Sequence, residues 1–273
     1  PIDDDTNYTV LALELVKSYG KEFTSDDVLE GWMKWLPYLA TCTAERVAYR
    51  NAAAGFRTPE TATVLNPYRE WIGAQIRGDF FGYVNVGNPD LAAEMAFRDG
   101  CISHIKNGIY GEMLMAAMIA AAAVSDDLVT VIEAGLDEIP ARSRLRRDVQ
   151  AVLDWHKAGK SYDEVVASIH KLYDETDGHG WCHTDSNAML VVTALLYGEK
   201  DFGKSLCMAV QPGFDTDCNG ATTGSILGMM LGEKAIPQVW VDPYNKKLAT
   251  SIIGHNLVTV DELVESTFEL IKK

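Results

Sequence analysis

The sequence predicts an all-α fold in a single domain, on three observations. Apolar residues recur at helical spacing in one segment after another, and helix start and stop signals bracket those segments. No stretch alternates apolar and polar residues as a half-buried strand would. The 273 residues suffice for one large core, and none of them has the composition of a linker.

The elements follow in order. Val10, Leu11, Leu13, Leu15 and Val16 mark a helix over 9–19, with Gly20 as its C-cap. Thr24-Ser25-Asp26-Asp27 caps a second over 28–38. Segment 42–64, polar and broken by Gly55 and Pro59, reads as a surface loop around a short helix. Segment 77–89 mixes Gly78, Gly82, Gly87 and Pro89 with Phe80, Phe81 and Tyr83, and reads as a functional loop ordered by aromatics. Helices are expected over 89–97, 108–124, 128–135 and 144–158. Another over 165–173 is headed by a capping-box-like Ser161 to Glu164, and more follow over 184–196, 204–210, 221–231 and 260–271. Gly220, Gly224, Gly228 and Gly232 line one stripe of a helix. Each interior glycine costs up to ~1 kcal/mol relative to alanine, so a close backbone contact is expected there, with the alanine-rich face of 116–123 in the groove.

Composition bounds the function. A net charge of −15 opposes nucleic acid, and the cluster Arg142, Arg144, Arg146 and Arg147 reads as a solvated helix face. Cys42, Cys101, Cys182, Cys207 and Cys218 are odd in number and scattered, which suits a reducing, cytoplasmic setting. The longest apolar run, 113–124, is too short to span a bilayer, so no membrane partner is expected. His179, Cys182, His183 and Asp185 fit no zinc spacing, and Trp181 or His183 lining a cleft is the better reading.

Two acidic clusters carry the chemistry. Asp3-Asp4-Asp5-Thr6 precedes the first helix, and Asp215-Thr216-Asp217 precedes the glycine-striped one. One aspartate at a helix start is a cap. A cap needs one carboxylate, however, and each cluster offers at least two. Crowded carboxylates repel unless a cation neutralises them or their pKa values rise. Two such clusters brought together would suit a hard divalent ion.

Asp4-Asp5-Thr6, Ser103-His104 and Gly213-Phe214-Asp215-Thr216-Asp217, followed by Gly224 and Gly228, resemble the signatures of the ADP-ribosylglycohydrolase family. The similarity covers nearly the whole chain and is strongest in its last third. It implies an orthogonal helical bundle that binds two Mg²⁺ or Mn²⁺ ions through Asp4, Asp5, Thr6, Asp215 and Asp217, with Asp5 and Asp217 catalytic. His104, Tyr83, Asn85 and Tyr110 are expected on the substrate side, and the substrate would be an ADP-ribosylated protein or a ribosylated small molecule. The sequence departs from the family in four places. Asp3 and Cys218 stand where the family has threonines. The family's glycine-rich phosphate loop is not reproduced, 77–88 lying in its place. A first helix bearing a glutamate is expected before Asp3, as a preceding or separate segment. These departures leave open a nucleoside or ribosyl-metabolite hydrolase and a catalytically silent ADP-ribose-binding relative.

Overall fold

In a computed structural model, residues 2–272 are described; Pro1 and Lys273 lie outside the described residues. The chain runs through α1 (Asp4–Tyr19), α2 (Ser25–Trp35), α3 (Thr43–Ala53), α4 (Glu60–Thr63), α5 (Asp79–Val84) and α6 (Pro89–Gly100). Next come α7 (Asn107–Ala122), α8 (Leu128–Asp137), α9 (Arg144–Lys157), α10 (Tyr162–Leu172) and α11 (Gly178–Cys182). α12 (Thr184–Tyr197), α13 (Phe202–Val210), α14 (Thr216–Leu231), α15 (Gln238–Val241) and α16 (Val260–Ile271) complete it. The fold is all-α, as the periodicity predicts. A small antiparallel hairpin, β1 (Lys247–Ala249) with β2 (Leu257–Thr259), leads into α16. Three residues per strand are too few to show an alternating pattern.

The centre of the bundle is α7. Its apolar residues go all the way round the helix, so it has no solvent face and nearly every side chain is buried. One core cluster, on its α5 and α6 side, gathers α1, α2, α5 and α6; the other gathers α8, α9, α12 and part of α14. No helix is long and apolar enough to cross a membrane among the described residues, and all five cysteines are free.

Three expectations are corrected. Segment 42–64 is not a surface loop: it folds as α3 and α4 and buries Ala44, Glu45, Ala48, Asn51, Thr61 and Ala62. Segment 77–89 is no loop either, because a 3-10 turn ending at Arg77 and then α5 sink Arg77, Asp79, Phe80 and Phe81 into the core and leave only 86–88 well exposed. Third, the glycine stripe is not the tight contact. A Cβ on Gly224 would meet Leu206 of α13 at 3.5 Å, one on Gly228 would meet Ile236 at 3.9 Å, and neither meets backbone. The alanine face of α7 does host a glycine contact, but from α5. A Cβ on Gly82 would lie 2.5 Å from Ile119 and 2.8 Å from the Ala116 carbonyl, and one on Gly78 would lie 2.8 Å from the Glu112 carbonyl.

Two substitutions should therefore behave in opposite ways. Gly82→Ala overpacks the α5–α7 contact and should cost about 1–3 kcal/mol. Gly224→Ala gains helix propensity without a clash and should be neutral or stabilising by up to ~1 kcal/mol. Urea melts of the two variants check this, and equal losses would return the tight contact to the stripe.

Candidate active site

Both acidic clusters sit on helix starts, and local sequence explains how. Asp3 is the N-cap of α1: its carboxylate accepts the Thr6 amide at 2.8 Å and the Thr6 hydroxyl as well. Capping is thus done by Asp3. Asp4 and Asp5 belong to the first helical turn rather than to a preceding loop, and their carboxylates are spared for other work. Asn7, one turn on, fixes α1 by accepting the Ser251 amide at 2.8 Å.

The second cluster is aimed by a bend. Gly213 and Phe214 both adopt positive φ, 86° and 61°, a conformation in which phenylalanine is uncommon. Surrounding groups hold it there. The Phe214 ring packs 4.9 Å from that of His170, its carbonyl accepts Trp181 Nε1 at 2.7 Å, and its amide donates to Glu175 at 3.3 Å. Buried Asn187 then takes over: its Oδ1 accepts the Asp215 amide at 3.1 Å and Asn219 Nδ2 at 2.8 Å. Asp215 is the N-cap of α14 by position, yet its side chain makes no cap bond.

The two helix starts converge. Ligand atoms of Asp5, Asp217 and Cys218 all lie within 4.8 Å of one another, and the Cys218 thiol is 3.8 Å from Asp5 Oδ2. The Cys182 thiol is 3.7 Å from Asp215 Oδ2. Burial first, then Asp4, Asp79, Asp3 and Asp217, push the Asp5 carboxyl up to about 8. Burial raises Asp4 too, with Asp217 and Asp3 adding to it, and burial with Asp217 pushes Asp215 up to about 6. Burial and the same carboxylates hold both thiols protonated. Among the described residues no lysine, arginine or histidine forms a salt bridge with Asp4, Asp5, Asp215 or Asp217. Oxygen-rich, partly buried and short of cations, this donor set suits a hard divalent ion.

A second layer lies behind it. Ser225 of α14 donates to buried Asp79 and shares a 2.6 Å hydrogen bond with the Tyr83 hydroxyl. Burial pushes Asp79 up to about 7, against these hydrogen bonds. Deeper still, Arg77 reaches Asp99 at 2.5 Å, Glu45 at 3.0 Å and Glu112 at 3.7 Å, and faces the rings of Tyr8 and Trp32.

With that geometry in hand, comparison with known proteins becomes specific. The chain matches the ADP-ribosylglycohydrolase family over residues 1–270. It belongs to that family. A solved structure described as an ADP-ribosylglycohydrolase-related protein complex shares the fold, with a TM-score of 0.68 at 19% identity, covering 98% of this chain and 80% of that one. Among curated proteins nothing matches. The family acts on glycosyl bonds by hydrolysis.

This ADP-ribosylglycohydrolase chain brings Asp4, Asp5, Asp215 and Asp217 together, and Cys218 stays among them instead of turning away. Thr6 spends its hydroxyl proton on Asp3. The residues expected on the substrate side are scattered. Tyr83 is nearest, through Ser225 and Asp79. Asn85 is turned into the core, its amide nitrogen on the Phe81 carbonyl and the Met95 sulfur. His104 is fully buried, with Nδ1 on Ser103 at 2.8 Å and Nε2 without a hydrogen-bond partner, 3.9 Å from Glu45. Burial and Arg77 keep it neutral. Tyr110 is half-buried against the second core cluster. His183 caps α12 by accepting the Asp185 amide, while Trp181 is well exposed above the Phe214 bend. Sequence reasoning missed Asp79, Asn187 and Cys182, because none of them lies in an acidic run.

Linkage follows from the raised carboxyls. Unfolded aspartates titrate near 3.8, so the folded chain holds extra protons from there up to about 8. That stability is complete at low pH and is lost as pH rises through about 6 to 8, the range of Asp215, Asp79 and Asp5. In chelator, the melting temperature should fall from pH 5 to pH 8. Asp5→Asn should raise it at pH 8 by about 4 °C or more and change little at pH 5. A flat profile in the wild-type chain would contradict the crowding.

Proposed function

We propose that this chain hydrolyses the C1 bond of an ADP-ribosyl or ribosyl group, using two divalent cations, Mg²⁺ or Mn²⁺, held by Asp4, Asp5, Asp215 and Asp217. The observation that carries the reading is the convergence of these carboxylates from two helix starts with, among the described residues, no basic side chain in a salt bridge with them. When bound, such ions would supply Lewis acidity and a template for the ribose hydroxyls and the attacking water.

The chain's own residues account for the rest. Asp217 is the exposed member of the cluster and meets the substrate first. A carboxylate facing C1 offsets the positive charge that grows on the ribose as the glycosidic bond breaks, a role suited to Asp5 and Asp217. Asn187 is a positioning residue, since it fixes the backbone that aims Asp215. Trp181 and Glu175 hold the Phe214 bend from outside and are positioning residues in the same sense. The metabolite-hydrolase reading took its motive from 77–88, of which all but 86–88 is largely buried and so little free to meet substrate.

The test is direct. The purified chain, given Mg²⁺ or Mn²⁺ and peptides ADP-ribosylated on arginine or serine, should release ADP-ribose. Asp5→Asn and Asp217→Asn should each lower kcat by about a thousandfold, some 4 kcal/mol, and weaken divalent-ion binding measured by calorimetry, with circular dichroism unchanged. Full turnover in either variant, or equal turnover in chelator, would sink the reading.

A further inference from the structure

Cys218 does not fit a site made of oxygen alone. It is buried in the first turn of α14, beside the carboxylates rather than away from them. A cysteine placed for packing would turn its sulfur toward apolar atoms. This one aims its thiol at Asp5 Oδ2, 3.8 Å away, and bonds to the Asp215 carboxylate as well.

The spacing favours a particular kind of ion. Zinc bonds thiolate sulfur at about 2.3 Å and carboxylate oxygen at about 2.1 Å, so neighbouring ligands of a tetrahedral site lie about 3.6 Å apart. The Cys218–Asp5 separation is 3.8 Å, and Asp217 completes a set of three ligand atoms within 4.8 Å of one another. Magnesium, with bonds of about 2.0–2.1 Å at right angles, holds its oxygens about 2.9 Å apart and has no use for sulfur. Asp217 is exposed, so the set opens to solvent and water can complete the tetrahedron.

A second observation points to a cation at the same place. Asp79 is only 8% exposed; its Oδ2 accepts the Ser225 hydroxyl, and its Oδ1 has no hydrogen-bond partner. It stands close enough to Asp5 for its charge to raise the Asp5 carboxyl. A buried carboxylate oxygen left unpaired beside another acid is costly unless positive charge lies near it.

We propose that Asp5, Asp217 and Cys218 form a site for a thiophilic divalent ion, Zn²⁺ above all, which takes these carboxylates from a hard ion and silences the centre. The silencing rests on the hydrolase reading of Asp5 and Asp217, whereas the zinc site rests on the three donors alone. Binding exchanges a proton for the metal. The Cys218 S–H bond breaks, a sulfur–zinc bond forms, and the proton leaves to solvent with no change of oxidation state. Softness then decides the competition, since thiolate prefers zinc to magnesium.

Calorimetry of the full chain with Zn²⁺ as the only metal tests the site. Zn²⁺ should bind the wild-type chain, and Cys218→Ser and Asp5→Asn should each weaken it by at least about tenfold, the least expected even for loss of an outer partner. Circular dichroism of both variants should be unchanged. Co²⁺, a coloured stand-in for zinc, should give a thiolate-to-cobalt charge-transfer band in the wild-type chain and none in Cys218→Ser. Zn²⁺ added to the Mg²⁺-loaded chain should inhibit ADP-ribose release, and should do so less in Cys218→Ser. Equal zinc affinity in wild type and Cys218→Ser, no charge-transfer band, or a loss seen instead in Cys207→Ser, whose thiol is exposed on α13, would overturn the proposal. Zinc binding that depends on Cys218, in a chain that releases no ADP-ribose with Mg²⁺ or Mn²⁺, would remove the proposed activity and leave the zinc site standing. ADP-ribose release without such zinc binding would do the reverse.

Discussion

Everything near the cleft answers to one constraint, the repulsion among four carboxylates held at the starts of α1 and α14. Left to themselves, these groups would drive the two helices apart. The fold opposes that with terms that carry no positive side chain. Helix N-termini present partial positive charge to Asp4, Asp5 and Asp217. Asp3 takes over the capping of α1, and Asn187 pins the backbone at Asp215 through a hydrogen bond from the Asp215 amide. Protonation finishes the task, at the cost of a carboxyl such as Asp5 that is neutral near pH 7. Stability is given up at the proposed site, a familiar trade in enzymes.

Behind that layer, a second charge problem is solved the opposite way. Arg77 is a single buried cation among Glu45, Asp99 and Glu112, so the group stays balanced only if acids give up charge. Burial supplies the means: Glu45 rises to about 7 despite Arg77, and Glu112 rises well above its usual range. The ring faces of Tyr8 and Trp32, against the Arg77 guanidinium, complete its surroundings. This network ties α1, α3, α6 and α7 into one rigid backing for the carboxylates, which explains why His104, packed inside it, is neutral and sealed from solvent.

Much of this was legible in the sequence, and the misses share a cause. Helices such as α9, α12 and α16 were visible because apolar spacing and caps are local signals. Asp4, Asp5, Asp215 and Asp217 were visible because crowded carboxylates are conspicuous in any chain. Segment 77–89 reads as a loop because glycine and proline are turn signals, whereas Gly78 and Gly82 let α5 lie against the backbone of α7. The stripe on α14 misled in the converse sense, since spacing alone cannot say what faces a glycine. Asp79 and Asn187 went unseen because each acts through contacts with residues distant in the sequence. Glu45 was lost with its segment: a charged residue that ends up fully buried looks, in sequence, like one on the surface.

Asp5 and Cys218 touch across more than two hundred positions of chain, and α1 rests on α16 and on Ser251 besides. Contacts of such separation form late, because loop closure must precede any reward. Until α14 has been synthesised, the nascent chain therefore carries Asp3 to Asp5 as an ordinary acidic segment. The carboxylate cluster cannot assemble until α14 arrives, and nothing clamps α1 in place until α16 follows. Assembly order alone keeps these like charges apart while the chain is being made.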